Sequence, residues 1–290
     1  MNSIQYRTVD VDGHNVFYRE AGDAARPALL LLHGFPTSSH MFRDLMPLLA
    51  QHFYLVAPDL PGFGLSEIKP RHSFTYSFDA LARVIGRFTE VIGLERYALY
   101  LFDYGAPTGF RLAMAHPERV TGIVSQNGNA YEEGLSTEWD PIQRYWREPT
   151  DEHRQALRAL LTPQSIRWQY EHGVVDPNAI SPDGSTLDAH YIARPEVDEI
   201  QLDLFGDYAS NVALYPAFQA YFRQHQPPLL AIWGKNDPFF LPPGAEAYRR
   251  DLPNAEIRFL DTGHFALETH ADTVARAIIE MFGSGSPTKG

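Results

Sequence analysis

Two periodicities share this chain. Short, mostly apolar runs recur along it, and between them lie longer stretches with apolar residues at every third or fourth position. Residues 5–11 and 14–20 alternate apolar and polar side chains on either side of Asp12-Gly13, a dipeptide suited to a tight hairpin. They predict two paired strands. Residues 28–32, 53–57, 97–102, 122–125, 229–233 and 256–260 complete the set of strand-like runs. Helical spacing covers 78–92 and 107–115. Short buried strands alternating with helices predict an α/β fold, a mostly parallel, twisted sheet flanked by helices. In such sheets ligands bind beyond the carboxyl ends of the strands.

Between residues 129 and 226 the rhythm changes. Trp139, Trp146, Trp168 and many tyrosines lie on helix-like segments such as 151–161 and 211–223, with no clear buried strand. The pattern predicts two parts: a core of residues 1–128 and 227–290, and a helical cap, 129–226, inserted after the sixth strand and lying over the carboxyl edge of the sheet. The closing GSGSPTKG has a flexible tail's composition and stands outside that fold.

Composition narrows the partners. At 290 residues, 44% hydrophobic and 21% charged, the chain can bury a large core as an ordinary soluble protein. A net charge of −12, with no Lys/Arg cluster, argues against nucleic acid. Cysteine is absent, which removes disulfides and thiolate metal sites. No apolar run approaches the ~18–20 residues that span a bilayer, and the first residues lack an apolar signal core. A cytoplasmic protein with no membrane span is expected, with no metal or organic cofactor.

The chemistry gathers where strands end. The apolar run 97–102 ends at Asp103, and Tyr104-Gly105 leads into a helical pattern. A lone Asp after a strand is often a helix cap, but a buried charge there is costly without partners. A strand–nucleophile–helix elbow needs a small residue two after the nucleophile, where backbones come close; Gly105 meets that need. On the amino side Leu101 stands where a small residue is usual. The run 28–32 ends in His33-Gly34-Phe35-Pro36. A turn there can aim the Phe35 N–H above Asp103, to form an oxyanion hole with the N–H of Tyr104. Asp237 follows the run 229–233, and His264 follows 256–260. Nucleophile, acid and histidine thus fall in chain order, each at a strand's carboxyl end. In that reading Asp237 sets the tautomer of His264, which faces the reaction centre. Asp59 to Ser66, with Gly62 and Gly64, reads as a glycine-bent structural loop at the rim.

On these residues, with a helical cap between them, the chain resembles the α/β-hydrolase superfamily over nearly its whole length. Within it the chain most resembles the branch of epoxide hydrolases and haloalkane dehalogenases that use an Asp nucleophile. The resemblance implies a cis peptide bond before Pro36. Residue type explains the branch. A serine that attacked a saturated carbon would form an ether, a dead end, whereas a carboxylate forms an ester that water can open. His264 would then deprotonate that water. The expected substrate is a small, largely apolar organic molecule with an electrophilic sp³ carbon.

Two leaving groups compete. An epoxide opens to an alkoxide and needs a proton donor; the resemblance implies two cap tyrosines, for which Tyr215 and Tyr145 are the candidates, with Trp146 beside them. A halide needs only N–H donors. Haloalkane dehalogenases typically place Trp after the nucleophile and Asn or an acid after the histidine–glycine pair; here Tyr104 and Phe35 stand instead. Fluoroacetate dehalogenases carry arginines just after the nucleophile, but here Arg111 is the nearest and is expected to face away. Epoxide hydrolysis to vicinal diols is therefore the favoured reading, with haloalkane dehalogenation as the alternative. A third is a ligand-binding homologue without turnover, against which the intact Asp103, Asp237 and His264 speak.

Overall fold

All the strand-like runs join one eight-stranded sheet in the computed structural model, which describes residues 3–283. The strands are β1 (Gln5–Val11), β2 (His14–Ala21), β3 (Ala28–Leu32), β4 (Tyr54–Pro58), β5 (Tyr97–Phe102), β6 (Val120–Gln126), β7 (Leu229–Gly234) and β8 (Glu256–Leu260). Their spatial order is β1-β2-β4-β3-β5-β6-β7-β8. Only the β1–β2 and β2–β4 pairings are antiparallel. The hairpin turns on Asp12 and Gly13, both at positive φ, 51° and 86°. β5 sits at the centre with every residue buried, which is why its sequence reads as an unbroken apolar run.

Helices α1 (Leu45–Leu49), α2 (Phe78–Val91) and α3 (Gly105–Ala115) lie between the early strands. Five more, α4 (Asp140–Arg147), α5 (Asp151–Ala156), α6 (Pro163–Glu171), α7 (Pro182–Ile192) and α8 (Val197–His225), come between β6 and β7. α9 (Pro242–Asp251) and α10 (Leu267–Phe282) close the chain. α3 starts at Gly105, ahead of its expected start at Pro107. Proline fits a first turn because its missing N–H would have no helical partner there. α8 is a single helix of 29 residues that runs through Pro216, well beyond the expected 211–223. Most of its buried residues share one face, from Val197, Ile200, Leu204 and Tyr208 to Tyr215, Phe218 and Phe222, but buried Gln201 and Asn211 interrupt the apolar pattern there. The closing tail lies outside the described residues except for Gly283. Among the described residues no helix is long and apolar enough to cross a membrane.

The loop after β4 is built as the glycine pattern suggests. Gly62 and Gly64 have φ of +88° and +51°. A Cβ on Gly64 would sit 2.0 Å from Asp59 Oδ2. Asp59 is buried and accepts from the N–H groups of Ser39 and Leu65, both at 2.7 Å. It ties this loop to the turn after β3. Asp59→Ala leaves two amide donors unpaired and should cost about 2–4 kcal/mol, read as a lower midpoint in urea at unchanged slope.

Candidate active site

Asp103 occupies the bend between β5 and α3 with φ of +47°, a left-handed conformation uncommon for a residue with a side chain. Its neighbours make room for that bend. A Cβ on Gly105 would lie 2.2 Å from the Leu32 carbonyl oxygen, so helix and strand meet here only through glycine. One on Gly109 would lie 2.2 Å from Leu101 Cδ2. Leu101 therefore fits at the position usually held by a small residue, because Gly109 gives up the space.

The turn after β3 comes to the same point. β3 and β5 pair in parallel with Leu32 opposite Leu101, so their carboxyl ends lie side by side. A Cβ on Gly34 would meet Asp103 Oδ1 at 2.3 Å. The Phe35 N–H donates to that oxygen at 2.6 Å, and the Phe35–Pro36 peptide bond is cis. His33 anchors the turn: its Nε2 accepts from the Leu60 N–H at 2.9 Å while Nδ1 faces the Gly34 carbonyl.

Asp103 Oδ2 lies 4.0 Å from His264 Nε2. On the other side of the imidazole, Nδ1 meets Asp237 Oδ2 at 2.7 Å. Asp237 also accepts from the Phe239 N–H and from Asn127 Nδ2, each at 2.7 Å. Asn127 follows β6 at φ +47° and takes the Gly234 N–H on its own Oδ1 at 2.9 Å. The three titratable groups are all buried, and the rings of Phe102, Phe239 and Phe265 surround the imidazole.

A cavity lies between this constellation and the inserted helices. Phe35, Asp103, Tyr104, Phe239 and His264 line it from the sheet side. Trp139, Ile142, Leu160, Gln169 and Phe205 line it from the other, with Glu138 exposed at its edge. No lysine or arginine contributes. Arg111 is turned toward Asp79, Ser210 and Asn211, away from the cavity as expected. Among the described residues no cluster of three His, Asp or Glu side chains could hold a metal.

Five of the eight sequence candidates thus meet: Asp103, Asp237, His264, Phe35 and Tyr104. The three from the inserted helices do not line the cavity. Tyr145 rests against Gly206. Trp146 donates its indole N–H to the Phe205 carbonyl at 2.7 Å. Tyr215 is buried one layer back, where its hydroxyl accepts from Asn129 Nδ2 at 3.2 Å and bonds the hydroxyl of Tyr208. Tyr208 was not anticipated. It stands two helical turns before Tyr215 on α8, against the rings of Tyr104 and Trp139 at 5.8 and 4.5 Å. Asn127 and Gln169 also escape the sequence reading, since single polar residues after a strand or on a helix carry no pattern of their own.

The model of the α/β hydrolase fold family matches residues 27–271. The chain belongs to that family. It is 49% identical over 275 residues to an uncharacterized hydrolase of Saccharomyces cerevisiae, covering 93% of this chain and 94% of that one. It is 31% identical to haloalkane dehalogenase 2 of Mycobacterium tuberculosis, over 97% of this chain and 96% of the relative. Among solved structures, the epoxide hydrolase CorEH superposes with a TM-score of 0.78 at 20% identity, covering 97% and 99% of the two chains. This α/β hydrolase is thus an enzyme of the dehalogenase-like branch.

Electrostatics in the hydrolase site follow from burial. Burial pushes the Asp103 carboxyl up to about 6, against the positive pull of His264 and the amides of Phe35 and Tyr104. For His264, burial lowers the pKa, but the charge and hydrogen bond of Asp237 and the charge of Asp103 outweigh it, and the net direction is up. Because the folded pKa of Asp103 lies above its ordinary value of 3.8, ionising it removes stability as pH rises from about 4 to 6. Asp103→Asn keeps the Phe35 hydrogen bond without the charge. It should stabilise the protein by about 1–3 kcal/mol at pH 8, and the gain over wild type should shrink toward pH 4 in paired melting curves.

Proposed function

We propose that this hydrolase opens small, neutral epoxides to vicinal diols through an alkyl ester on Asp103, with Asp237 and His264 completing the machinery. One observation carries the reading: Asp103 Oδ1 is held by the Phe35 N–H while Oδ2 makes no hydrogen bond among the described residues and faces His264 across 4.0 Å. One oxygen is thereby disposed to attack carbon and the other to become the carbonyl of an ester.

Oδ2 attacks the less hindered epoxide carbon, and the C–O bond breaks toward the ring oxygen. That oxygen takes a proton from a phenol, for which we take Tyr208, whose ring packs against the cavity-lining Tyr104 and Trp139. Burial holds the phenols of Tyr208 and Tyr215 well above their ordinary range, so both keep their protons. Tyr215 shares its hydroxyl with Tyr208 and can orient it. His264 then removes a proton from water, and the hydroxide adds to the carboxyl carbon of Asp103. The negative charge lands on the oxygen beneath the Phe35 and Tyr104 amides, where oriented donors favour it. Collapse releases the diol and restores the carboxylate; the proton on His264 returns through solvent to the phenolate.

The name of the mycobacterial relative supports a second reading, halide release from a haloalkane. Against it, the nearest indoles already have acceptors: Trp146 on the Phe205 carbonyl and Trp139 on the Phe239 carbonyl at 3.1 Å. A halide would have to rely on the Phe35 and Tyr104 amides alone. A haloacid is disfavoured further, since no cation lines the cavity and Glu138 stands at its edge.

His264→Gln incubated with a terminal epoxide should gain the mass of one substrate molecule on Asp103, because alkylation needs no base. An unmodified protein under conditions where wild type turns over would remove the ester route. Wild-type kcat/KM should fall as pH drops through about 6 and Asp103 takes up its proton. Tyr208→Phe should slow alkylation by epoxides roughly 10²–10³-fold and alkylation by bromoalkanes far less, in rapid-mixing experiments. Wild type that releases bromide and ignores every epoxide would transfer the assignment to the dehalogenase reading.

A further inference from the structure

Gln169 is the one polar side chain of the inserted helices that is both buried and open to the cavity. It lies on α6, is 3% exposed, and lines the space above Asp103 and His264. Its carboxamide finds no hydrogen-bond partner among the described residues. Ile166 and Tyr170, its buried companions on that helix, are packing residues, and the wall around Gln169 is otherwise Leu160, Phe205, Phe239 and the Trp139 ring. The amide atoms are not sealed in protein but open onto a mostly apolar space, where a polar group without a protein partner is poorly accommodated. In a cavity shaped only for hydrocarbon, a leucine or methionine would do better at this position. Gln201 on α8 is also unpartnered, but it is sealed inside and does not reach the cavity.

From this we infer that Gln169 is a specificity-determining residue that hydrogen-bonds a neutral oxygen substituent on the substrate, so that the natural substrates are hydroxy-, alkoxy- or carbonyl-bearing epoxides and not plain alkyl ones. A carboxamide offers one acceptor and two donor hydrogens, which suits a hydroxyl in either sense and an ether or carbonyl through its N–H. The substituent is neutral because the lining holds no lysine or arginine to meet an anion. A cation would find Glu138 only at the edge, since Asp103 is engaged with carbon during reaction. A site that offers a buried polar group discriminates strongly against an analogue that leaves the group unpaired.

The inference rests on the epoxide reading for its substrate class, and the test separates the two. Methyl glycidyl ether and 1,2-epoxypentane differ only by CH₂ for O, as do glycidol and 1,2-epoxybutane. Wild type should favour the oxygenated member of each pair by about tenfold or more in kcat/KM. Gln169→Leu and Gln169→Met should abolish that preference by losing the oxygenated substrate, with the alkyl epoxides unchanged within about threefold. Melting curves near wild type confirm that the variants fold. Equal losses on both members of a pair would overturn the inference and make Gln169 a packing or water-holding residue. So would a wild type without preference. If no epoxide reacts, the epoxide reading fails by itself, and the same ratio is measured with 2-bromoethyl methyl ether against 1-bromobutane. A Gln169-dependent preference there keeps the residue's role; its absence, or no reaction with any bromide, overturns it.

Discussion

The approach of a backbone turn to within hydrogen-bond distance of a buried carboxylate is the contact on which the site depends. Phe35 N–H reaches Asp103 Oδ1 at 2.6 Å, which is possible only because residue 34 has no side chain to stand between them. Each participant is fixed from a different direction. The parallel register of β3 and β5 sets the two chain ends side by side. His33 pins the turn to the loop after β4, and that loop is in turn tied to Ser39 by Asp59. Gly105 lets α3 press against Leu32, so the elbow cannot relax away. Strand and helix ends hold Asp103, while loops supply the oriented Phe35 amide together with Asp237 and His264.

That arrangement sets a stability cost against reactivity. A carboxylate with one oxygen on an amide and the other facing apolar walls is poorly solvated, and burial raises its pKa to about 6. In the proposed reaction the same want of water would leave the attacking lone pair unencumbered. His264 does not relieve this by a direct hydrogen bond, since 4.0 Å separates the two; it lends only its charge. The positive shift on the imidazole is instead held by Asp237, itself locked by Asn127 and the Phe239 amide. Two acids with the same side chain thus sit in different environments, Asp237 with several hydrogen bonds and Asp103 with few.

Strands and elbow were legible in the sequence because each imposes a local rule: buried parallel strands must be apolar, a hairpin wants Asp-Gly, and a close crossing wants glycine. Order along the chain then placed Asp237 and His264, since strand ends converge in an open parallel sheet. The inserted helices obey no such rule. α8 buries the polar Gln201 and Asn211 on the same face as its apolar residues and carries Pro216 inside it, so its polar and apolar positions mark neither its start at Val197 nor which tyrosines face the sheet. Tyr215, expected from the sequence, lies two turns along α8 from Tyr208, which packs against Tyr104 and Trp139. Trp146 looked like a donor by residue type, yet its N–H already serves the Phe205 carbonyl. Which polar side chains open onto the cavity is a tertiary fact, and no spacing could have shown that Gln169 is one of them.

The charge balance of the site also changes during the proposed reaction in a way that orders its two halves. Before attack, ionised Asp103 is one of the influences raising the His264 pKa, and an imidazolium there favours the carboxylate over its protonated form. Once Oδ2 is bonded to carbon, residue 103 is a neutral ester and that influence is gone. Burial then acts on His264 with only Asp237 opposing it, so the imidazole loses a proton more readily and is more often in the neutral form that can act as a base. Meanwhile the tetrahedral oxyanion that follows restores negative charge beneath the Phe35 and Tyr104 amides, at the moment His264 turns positive. The base is therefore least available while the carboxylate must attack and most available when the ester must be opened. In the proposed reaction the electrostatic link between the two groups, 4.0 Å apart, thus favours the order of the two steps.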